Sequence, residues 1–173
     1  MNDDPKYLPE EFLNRMNNML GDDFQAFLNS YQQPRTFGLR VNTAKISCEE
    51  FEKIVPFPIS PIPWIPGGYF YPENVRPSKC AFYQAGLYYL QEPSAMTPVS
   101  RLLPKPGEYI LDMCAAPGGK ATALGAALKG HGLLVANDIS TSRARALLRN
   151  IELFGIPNSF VTSTAPKDLV PCF

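Results

Sequence analysis

Short apolar runs alternate with amphipathic segments through the carboxy-terminal half of the chain. The runs that begin at Tyr109, Gly132 and Ser159 are rich in strand-forming residues and are short enough to be strands. Residues 120–128, between the first two runs, and the segment that follows Thr141 are expected to be helices. The order strand, helix, strand, helix, strand predicts a parallel sheet with right-handed crossovers, and therefore an α/β fold.

The amino-terminal half predicts a small α+β unit. Residues 8–20 place apolar side chains on one helical face, and a second apolar stripe follows with Asp22 as its candidate cap. Residues 36–41 alternate enough to form a strand. Ser47 and Glu50 then have the spacing of a capping box, which predicts that a helix begins there.

A proline-rich segment follows this unit. Prolines are so frequent in residues 56–66 that no regular helix is expected there, and a buried central strand is disfavoured. We interpret the segment as an extended connector that Trp64 anchors to a neighbouring surface. A domain boundary is therefore expected near residue 72, with an accessory domain at residues 1–72 and a second domain at residues 73–173.

Two helices of the second domain have predicted caps and faces. Ser94 is the expected cap of a helix that runs to Leu103. Ser140 or Thr141 is the expected cap of the helix that follows the second strand. The side chains of that helix expected to face inward are Ala144, Leu147, Leu148, Ile151 and Phe154.

Composition and charge restrict the function only slightly. The chain has 173 residues, 45% of them apolar, and no apolar run reaches the roughly 18 residues that a membrane-spanning helix needs. The acidic start MNDDPKYLPEEF has no apolar core, so we expect no secretory signal and a cytoplasmic protein. The 16 basic and 16 acidic residues cancel, so net charge does not indicate nucleic-acid binding.

The cysteines and the single histidine do not predict a metal site. Cys48, Cys80, Cys114 and Cys172 are too widely spaced for a C-x-x-C pair, and His131 has no second histidine as a co-ligand. We expect reduced thiols and no bound metal.

A tight turn at Pro117, Gly118 and Gly119 separates the first predicted strand from the helix after it. Backbone N–H groups at such a helix start can contact a ligand, and the helix dipole favours an anion there. A phosphate-binding P-loop is disfavoured, because it requires glycine at the position of Cys114 and serine or threonine at the position of Ala121. The dinucleotide fingerprint G-x-G-x-x-G is not matched either.

Asp138 comes directly after the second apolar run, where a carboxylate can accept hydrogen bonds from ribose hydroxyls. A glycine turn for a polar tail and an acid for a ribose suit S-adenosylmethionine (SAM) as well as they suit a dinucleotide. The residues by themselves leave both ligands open.

Three stretches carry a resemblance to a known family. LDMCAAPGGKATAL at residues 111–124, YYLQEPSAM at residues 88–96 and RVNTAK at residues 40–45 are similar to the RsmB/RsmF-type (NOL/NOP/Sun) RNA cytosine-5 methyltransferases. The similarity runs through nearly the whole chain, and CAAPGGK is specific to that family. The resemblance implies part of a Rossmann-like SAM-dependent methyltransferase domain, preceded by a small α+β domain that binds RNA.

The resemblance also implies a cofactor, a partner and a set of site residues. The cofactor is SAM and the partner is an RNA, with ribosomal RNA favoured over tRNA. Arg40 and Lys45 resemble the family's substrate-side entry segment, although a solvated arginine on an edge strand is the simpler interpretation. The residues implied to bind the cofactor are Cys114, Ala115, Ala116, Pro117, Gly118, Gly119, Lys120, Asp138 and Arg143.

The chain departs from the family's pattern in two places. An aspartate that the family carries after the third strand, near the adenine, is replaced here by Ser163-Thr164-Ala165-Pro166, and Asp168 lies further on. The family's catalytic cysteines lie in later DAPCSG and TCS turns, where a thiolate adds to C6 of cytosine and makes C5 nucleophilic. We therefore expect the nucleophile beyond Phe173 rather than at Cys172.

An incomplete catalytic domain has consequences for behaviour and for function. A three-stranded parallel sheet should leave apolar surface exposed, so we expect the chain either to be marginally stable or to associate with itself. Two other functions stay open: a nucleotide-dependent oxidoreductase built on the same strand, turn and acid, and a non-catalytic RNA-binding or scaffold protein.

Overall fold

The computed structural model describes residues 8–172, without the side chains of residues 171 and 172. Most of the acidic start therefore lies outside the described part. The side chain of Cys172 lies outside it as well, so the expectation that Cys172 is not catalytic stays a prediction. Two compact units divide between Arg35 and Thr36. None of the described helices combines the length and the apolar character that crossing a bilayer requires.

The first unit contains two helices joined by a short turn. Its elements are α1 (Glu10–Leu20), a 3₁₀ turn (Gly21–Asp23) and α2 (Phe24–Ser30). The ring centroids of Phe12 and Phe27 lie 6.2 Å apart, so the two predicted apolar stripes meet. The predicted cap is wrong, because Asp22 lies inside the 3₁₀ turn and Asp23 takes the N-cap position without a side-chain hydrogen bond.

The second unit begins with an antiparallel sheet in the order β2-β3-β1-β4. Its strands are β1 (Phe37–Val41), β2 (Ser60–Pro61), β3 (Gly68–Tyr71) and β4 (Tyr88–Leu90). Strand β1 is a middle strand, and its Arg40 lies opposite Gly68 of β3 and Tyr89 of β4. The interpretation of Arg40 as a solvated residue on an edge strand is therefore wrong, and the side chain is only 7% exposed.

Helix α3 (Cys48–Ile54) packs on this sheet through Phe51. The Phe51 ring lies 6.2 Å from the ring of Tyr69 and 5.6 Å from that of Tyr88, measured between centroids. The predicted capping box is confirmed: the Glu50 N–H donates to the Ser47 hydroxyl, and the Ser47 N–H donates to the Glu50 carboxylate, both at 3.2 Å. The helix therefore begins where the sequence predicts.

The proline-rich segment forms no helix, as predicted, but it is not extended throughout: β2 pairs with β3, and residues 63–67 turn the chain between them. Its anchors also differ from the predicted one. Trp64 is 45% exposed and stacks edge-on against Phe70, whereas Ile62 and Ile65 are buried. The antiparallel sheet also crosses the expected boundary near residue 72, because β4 lies beyond that point and pairs with β1. Pairing between strands so far apart in the chain has no local signature in the sequence.

The remainder of the second unit is the predicted parallel sheet, in the order β5-β6-β7. Its elements are α4 (Ala81–Gln84), α5 (Pro93–Leu102), β5 (Tyr109–Asp112), α6 (Gly119–Ala127), β6 (Leu133–Asn137), α7 (Thr141–Phe154), β7 (Ser159–Thr162) and a final 3₁₀ helix (Pro166–Cys172). Leu124, Leu134, Leu147 and Ile151 form a buried core between α6, β6 and α7. The predicted α/β fold is confirmed.

Two local predictions in this region are wrong. Glu92, not Ser94, is the N-cap of α5, and its carboxylate accepts a hydrogen bond from the Ala95 N–H at 3.1 Å. Pro93 then occupies the first turn, where the absence of its N–H costs nothing. Leu148 of α7 is 44% exposed rather than inward-facing, because the buried stripe of that helix is narrower than predicted.

Asn42 and Lys45 of the RVNTAK segment tie the antiparallel sheet to the end of α7. The Asn42 amide donates to the carbonyls of Gly86 at 2.8 Å and Phe154 at 3.0 Å, and Asn42 is fully buried. The Lys45 ammonium donates to the carbonyls of Ala85 and Leu153, both at 2.8 Å. A cation at the carboxyl end of a helix satisfies its terminal carbonyls and complements its dipole.

The change Asn42→Ala should therefore destabilise the chain. It leaves two buried carbonyl groups without their donor, and we expect the free energy of unfolding to fall by about 2 kcal/mol or more. Urea denaturation followed by circular dichroism would measure the change. Asn14→Ala, at an exposed position of α1, is the control and should shift stability by less than about 0.5 kcal/mol. Equal effects of the two changes would contradict the assignment.

Candidate functional site

The carboxyl ends of β5 and β6 bring two aspartates to one edge of the parallel sheet. Asp112 is the last residue of β5, and Asp138 directly follows β6. The two strands are parallel neighbours, with Asp112 paired with Ala136, so their ends lie side by side. This edge is where ligands bind in open α/β sheets.

Asn137 connects the loops at this edge. Its side-chain amide donates to the carbonyls of Met113 at 3.1 Å and Thr164 at 3.0 Å. Its side-chain oxygen accepts from the Thr162 hydroxyl at 2.8 Å and from the Thr164 N–H at 3.1 Å. One fully buried side chain thus bonds the loop after β5 and the loop after β7.

The glycine turn presents four consecutive carbonyl groups, at residues 116–119, that each accept a hydrogen bond from a side chain. The donors are Arg143 to Ala116 at 2.9 Å, Asn150 to Pro117 at 2.7 Å, Thr122 to Gly118 at 2.7 Å and Arg40 to Gly119 at 3.1 Å. These side chains belong to α7, α6 and β1. The turn is therefore held in one conformation by three separate elements.

The N–H groups of the same turn are left available. In the described part of the chain, those of Gly118, Gly119 and Lys120 donate to no protein acceptor. Gly118 has a φ of +116°, which a residue with a side chain rarely adopts. A Cβ at Gly119 would lie 3.0 Å from the side-chain amide nitrogen of Gln91, so the turn backbone approaches the residue that directly follows β4 closely. The arrangement is that of an anion-binding turn.

Asp138 is 2% exposed, and its neighbours fix its orientation. One carboxylate oxygen accepts from the Ser140 N–H at 3.0 Å, and the other lies 3.4 Å from a guanidinium nitrogen of Arg143. The same nitrogen of Arg143 donates to Ala116 in the turn. The structure thus brings together the turn, Asp138 and Arg143, which the resemblance places in one site.

Asp112 lies at the same edge of the sheet and was not among the residues expected to form the site. One of its oxygens accepts from the Cys114 N–H at 3.3 Å, while the other is buried and has no hydrogen-bond partner. Burial raises the pKa of the Asp112 carboxyl; the hydrogen bond from the Cys114 N–H and the charge of Lys120 oppose the rise, and Asp138 adds to it slightly. A carboxylate at the end of a strand, directly before the glycine turn, is the signal that was available in the sequence.

The loop after the third strand contributes main-chain hydrogen-bonding groups to this edge of the sheet rather than an acidic side chain. Thr164, in the stretch that replaces the family's aspartate, bonds Asn137 through its main chain, and Asp168 is exposed in the final 3₁₀ helix. Within residues 8–172, no group of three or more histidine, cysteine or acidic side chains is placed to hold a metal ion. A cavity of about 240 Å³ lies elsewhere, beside Arg40 between β1, α5 and α6.

The residues at this edge fit SAM chemically. The unpartnered Asp112 oxygen suits a positively charged group, and the unpaired amides of the turn suit a carboxylate. The SAM amino-acid portion carries one of each charge. Asp138 can accept from ribose hydroxyls, so the three features match three parts of one molecule.

The raised pKa of Asp112 predicts a pH-dependent effect of Asp112→Asn. A carboxyl whose pKa is raised in the folded state binds its proton more tightly there, so its contribution to stability is present below the ordinary pKa of about 3.9. That contribution is lost as pH rises through the raised pKa. The stability of Asp112→Asn relative to the unmodified chain should therefore increase from pH 4 to pH 7, measured by urea denaturation.

Asp22→Asn is the matched control for this titration. Asp22 is exposed and lies in the first unit, so this variant removes a carboxylate from outside the candidate site, and the comparison isolates the effect of burial at Asp112. A flat profile for Asp112→Asn would show that the Asp112 carboxyl is not destabilised by burial.

Two stretches of the chain match known protein families. Residues 8–93 match the N-terminal domain of 16S rRNA methyltransferase RsmF, and residues 99–168 match the family described as 16S rRNA methyltransferase RsmB/F. The second stretch contains the glycine turn, Asp138 and Arg143.

Curated relatives with the name ribosomal RNA small subunit methyltransferase F are similar over most of the chain. The protein of Vibrio parahaemolyticus is 36% identical over 167 residues, which are 91% of this chain and 35% of that protein. The protein of Vibrio cholerae is 40% identical over 168 residues, which are 90% of this chain and 35% of that protein. The chain thus spans 35% of the length of these relatives.

Solved structures share the fold. A methyltransferase homologue from Pyrococcus horikoshii superposes with a TM-score of 0.86 at 28% identity, covering 96% of this chain and 56% of that one. NSun6 from Pyrococcus horikoshii, solved with SFG, gives 0.81 at 19% identity, covering 94% and 67%, which supports the fold alone. These matches confirm the resemblance that CAAPGGK carries: the chain belongs to the RsmB/F family of 16S rRNA methyltransferases.

Proposed function

We propose that this chain provides the SAM-binding part of an RNA cytosine-5 methyltransferase that acts on ribosomal RNA. The observation that carries the proposal is the pairing of the glycine turn with Asp138. The four carbonyl groups of the turn accept side-chain hydrogen bonds, and the N–H groups of Gly118, Gly119 and Lys120 have no protein acceptor in the described part of the chain. The buried Asp138 carboxylate, which contacts Ser140 and Arg143, lies next to the turn. The named relatives methylate small-subunit ribosomal RNA according to their names, which supports the choice of substrate.

Each part of the site has a proposed role towards the cofactor. The turn from Cys114 to Lys120 binds the amino-acid portion, Asp138 binds the ribose hydroxyls, and Arg143 keeps the turn and Asp138 together. Asp112 joins this set, because its buried oxygen has no protein partner. When bound, SAM supplies the methyl group, and the residues of this chain orient it and exclude water around its charged end.

The acceptor chemistry is proposed from the family. C5 of cytosine is a weak nucleophile, and the thiolate that activates it is expected in the turns that the resemblance places beyond Phe173. Helices α1 and α2 and the antiparallel sheet are proposed to contact the RNA, and ribosomal RNA as substrate implies the cytoplasm. The family match favours this function over a nucleotide-dependent oxidoreductase.

The change Asp138→Asn should weaken cofactor binding. An amide keeps the size of the side chain but loses the charged acceptor for the ribose hydroxyls and the ion pair with Arg143. Charge-assisted hydrogen bonds of this kind predict a loss of affinity for S-adenosylhomocysteine of roughly 10- to 100-fold, measured by calorimetry.

Asp22→Asn is again the matched control and should bind S-adenosylhomocysteine with unchanged affinity. Titration with NAD tests the oxidoreductase directly. Binding of NAD in place of S-adenosylhomocysteine by the unmodified chain would overturn the proposed function. Unchanged affinity in Asp138→Asn would overturn the role of Asp138 alone.

A further inference from the structure

Arg40 is a buried cation that lies directly behind the glycine turn. It belongs to β1 of the antiparallel sheet, and its guanidinium reaches α6 of the parallel sheet. One guanidinium nitrogen donates to the Gly119 carbonyl at 3.1 Å and to the Thr122 hydroxyl at 2.9 Å. Thr122 in turn donates to the Gly118 carbonyl at 2.7 Å, so Arg40 supports both glycines of the turn.

Among the described side chains, no carboxylate compensates this charge. In the part of the chain that the structure describes, the partners of Arg40 are two neutral oxygens and the face of the Tyr89 ring, 5.9 Å from the guanidinium carbon. Its Nε is buried without a hydrogen-bond partner. Burial lowers the pKa of Arg40 to about 10, which still leaves it charged at neutral pH.

The position of this charge is electrostatically unfavourable for the protein alone. The amino end of α6 already carries the positive end of the helix dipole and the unpaired N–H groups of Gly119 and Lys120. A buried cation beside it adds charge of the same sign, and a buried charge without a partner of opposite sign is destabilising. An anion bound at the turn would compensate both the charge of Arg40 and the positive amino end of α6.

We propose that Arg40 is a positioning residue that makes the glycine turn selective for the carboxylate of the SAM amino-acid portion. It acts by holding the Gly118 and Gly119 peptide groups in place and by the electrostatic attraction of its positive charge for the carboxylate, without contacting the cofactor. The proposal deepens the proposed function and rests on it. It also assigns part of the cofactor affinity to a residue of the antiparallel sheet, outside the strands that form the site.

The test compares two ligands that differ in one group. Decarboxylated SAM lacks the carboxylate and keeps the sulfonium, the ammonium and the nucleoside. The unmodified chain should bind SAM more tightly than decarboxylated SAM, and Arg40→Gln, which keeps hydrogen-bond donors but loses the charge, should reduce that preference by about tenfold. Arg40→Lys, which keeps the charge, should retain most of the preference. Calorimetry gives all six affinities, those of the three proteins for each of the two ligands.

A merely structural role for Arg40 predicts a different result. If Arg40 only holds the turn in shape, Arg40→Gln weakens both ligands by the same factor, and the proposal is overturned. Arg145→Met, which removes an exposed arginine of α7, should leave the preference unchanged. Circular dichroism checks that each variant folds, and the comparison of Arg40→Lys with the unmodified chain remains available if Arg40→Gln does not.

Failure of the proposed function gives a distinct outcome. If the unmodified chain binds neither SAM nor decarboxylated SAM, the assignment of the cofactor is wrong, and with it the basis of the inference. If it binds both equally, the cofactor assignment stands and the role of Arg40 is refuted.

Discussion

The buried side chain of Asn137 holds together the loops that form the candidate site. It uses both of its donors and both of its acceptor positions, and it joins the loop after β5 to the loop after β7. A polar side chain with no exposed surface is tolerated only when its hydrogen bonds are made, so these loops have little freedom to shift. Asp138 is the next residue in the chain, so the hydrogen bonds of Asn137 also restrict the position of Asp138.

The RVNTAK segment has a structural role that its resemblance to a substrate-side segment did not indicate. Arg40 bonds the amino end of α6, while Asn42 and Lys45 bond the carboxyl end of α7. Both helices belong to the parallel sheet, and the segment belongs to the antiparallel one. The two sheets are therefore joined by polar contacts at both helix ends, buried or partly buried for Arg40 and Asn42 and exposed for Lys45. The glycine turn thus depends on residues far from it in sequence.

The charges around the turn are arranged with opposite signs on opposite sides. Asp112 and Asp138 lie at the strand ends, whereas Arg40 and the amino end of α6 lie behind the glycines. A ligand that carries both an ammonium and a carboxylate would meet a partner of opposite sign on each side. The Asp112 oxygen without a protein partner is the group at this edge that such an ammonium would meet.

The sequence by itself determined the features that depend on local patterns. The α/β order, the capping box at Ser47, the glycine turn and Asp138 follow from periodicity, spacing and motif, because short-range physics decides them. The position of Asp112 at the end of a predicted strand, directly before the glycine turn, was visible in the sequence in the same way. Helix faces and caps were less certain, and Leu148 and Glu92 differ from prediction because neighbouring elements decide which side is covered.

Only the tertiary structure decided where the antiparallel sheet ends and what Arg40 does. The pairing of β4 with β1, and the contact of Arg40 with α6, join positions separated by most of a domain. Such contacts form because burial of both partners is favourable once the sheets pack together, and no feature of the RVNTAK residues themselves specifies that packing.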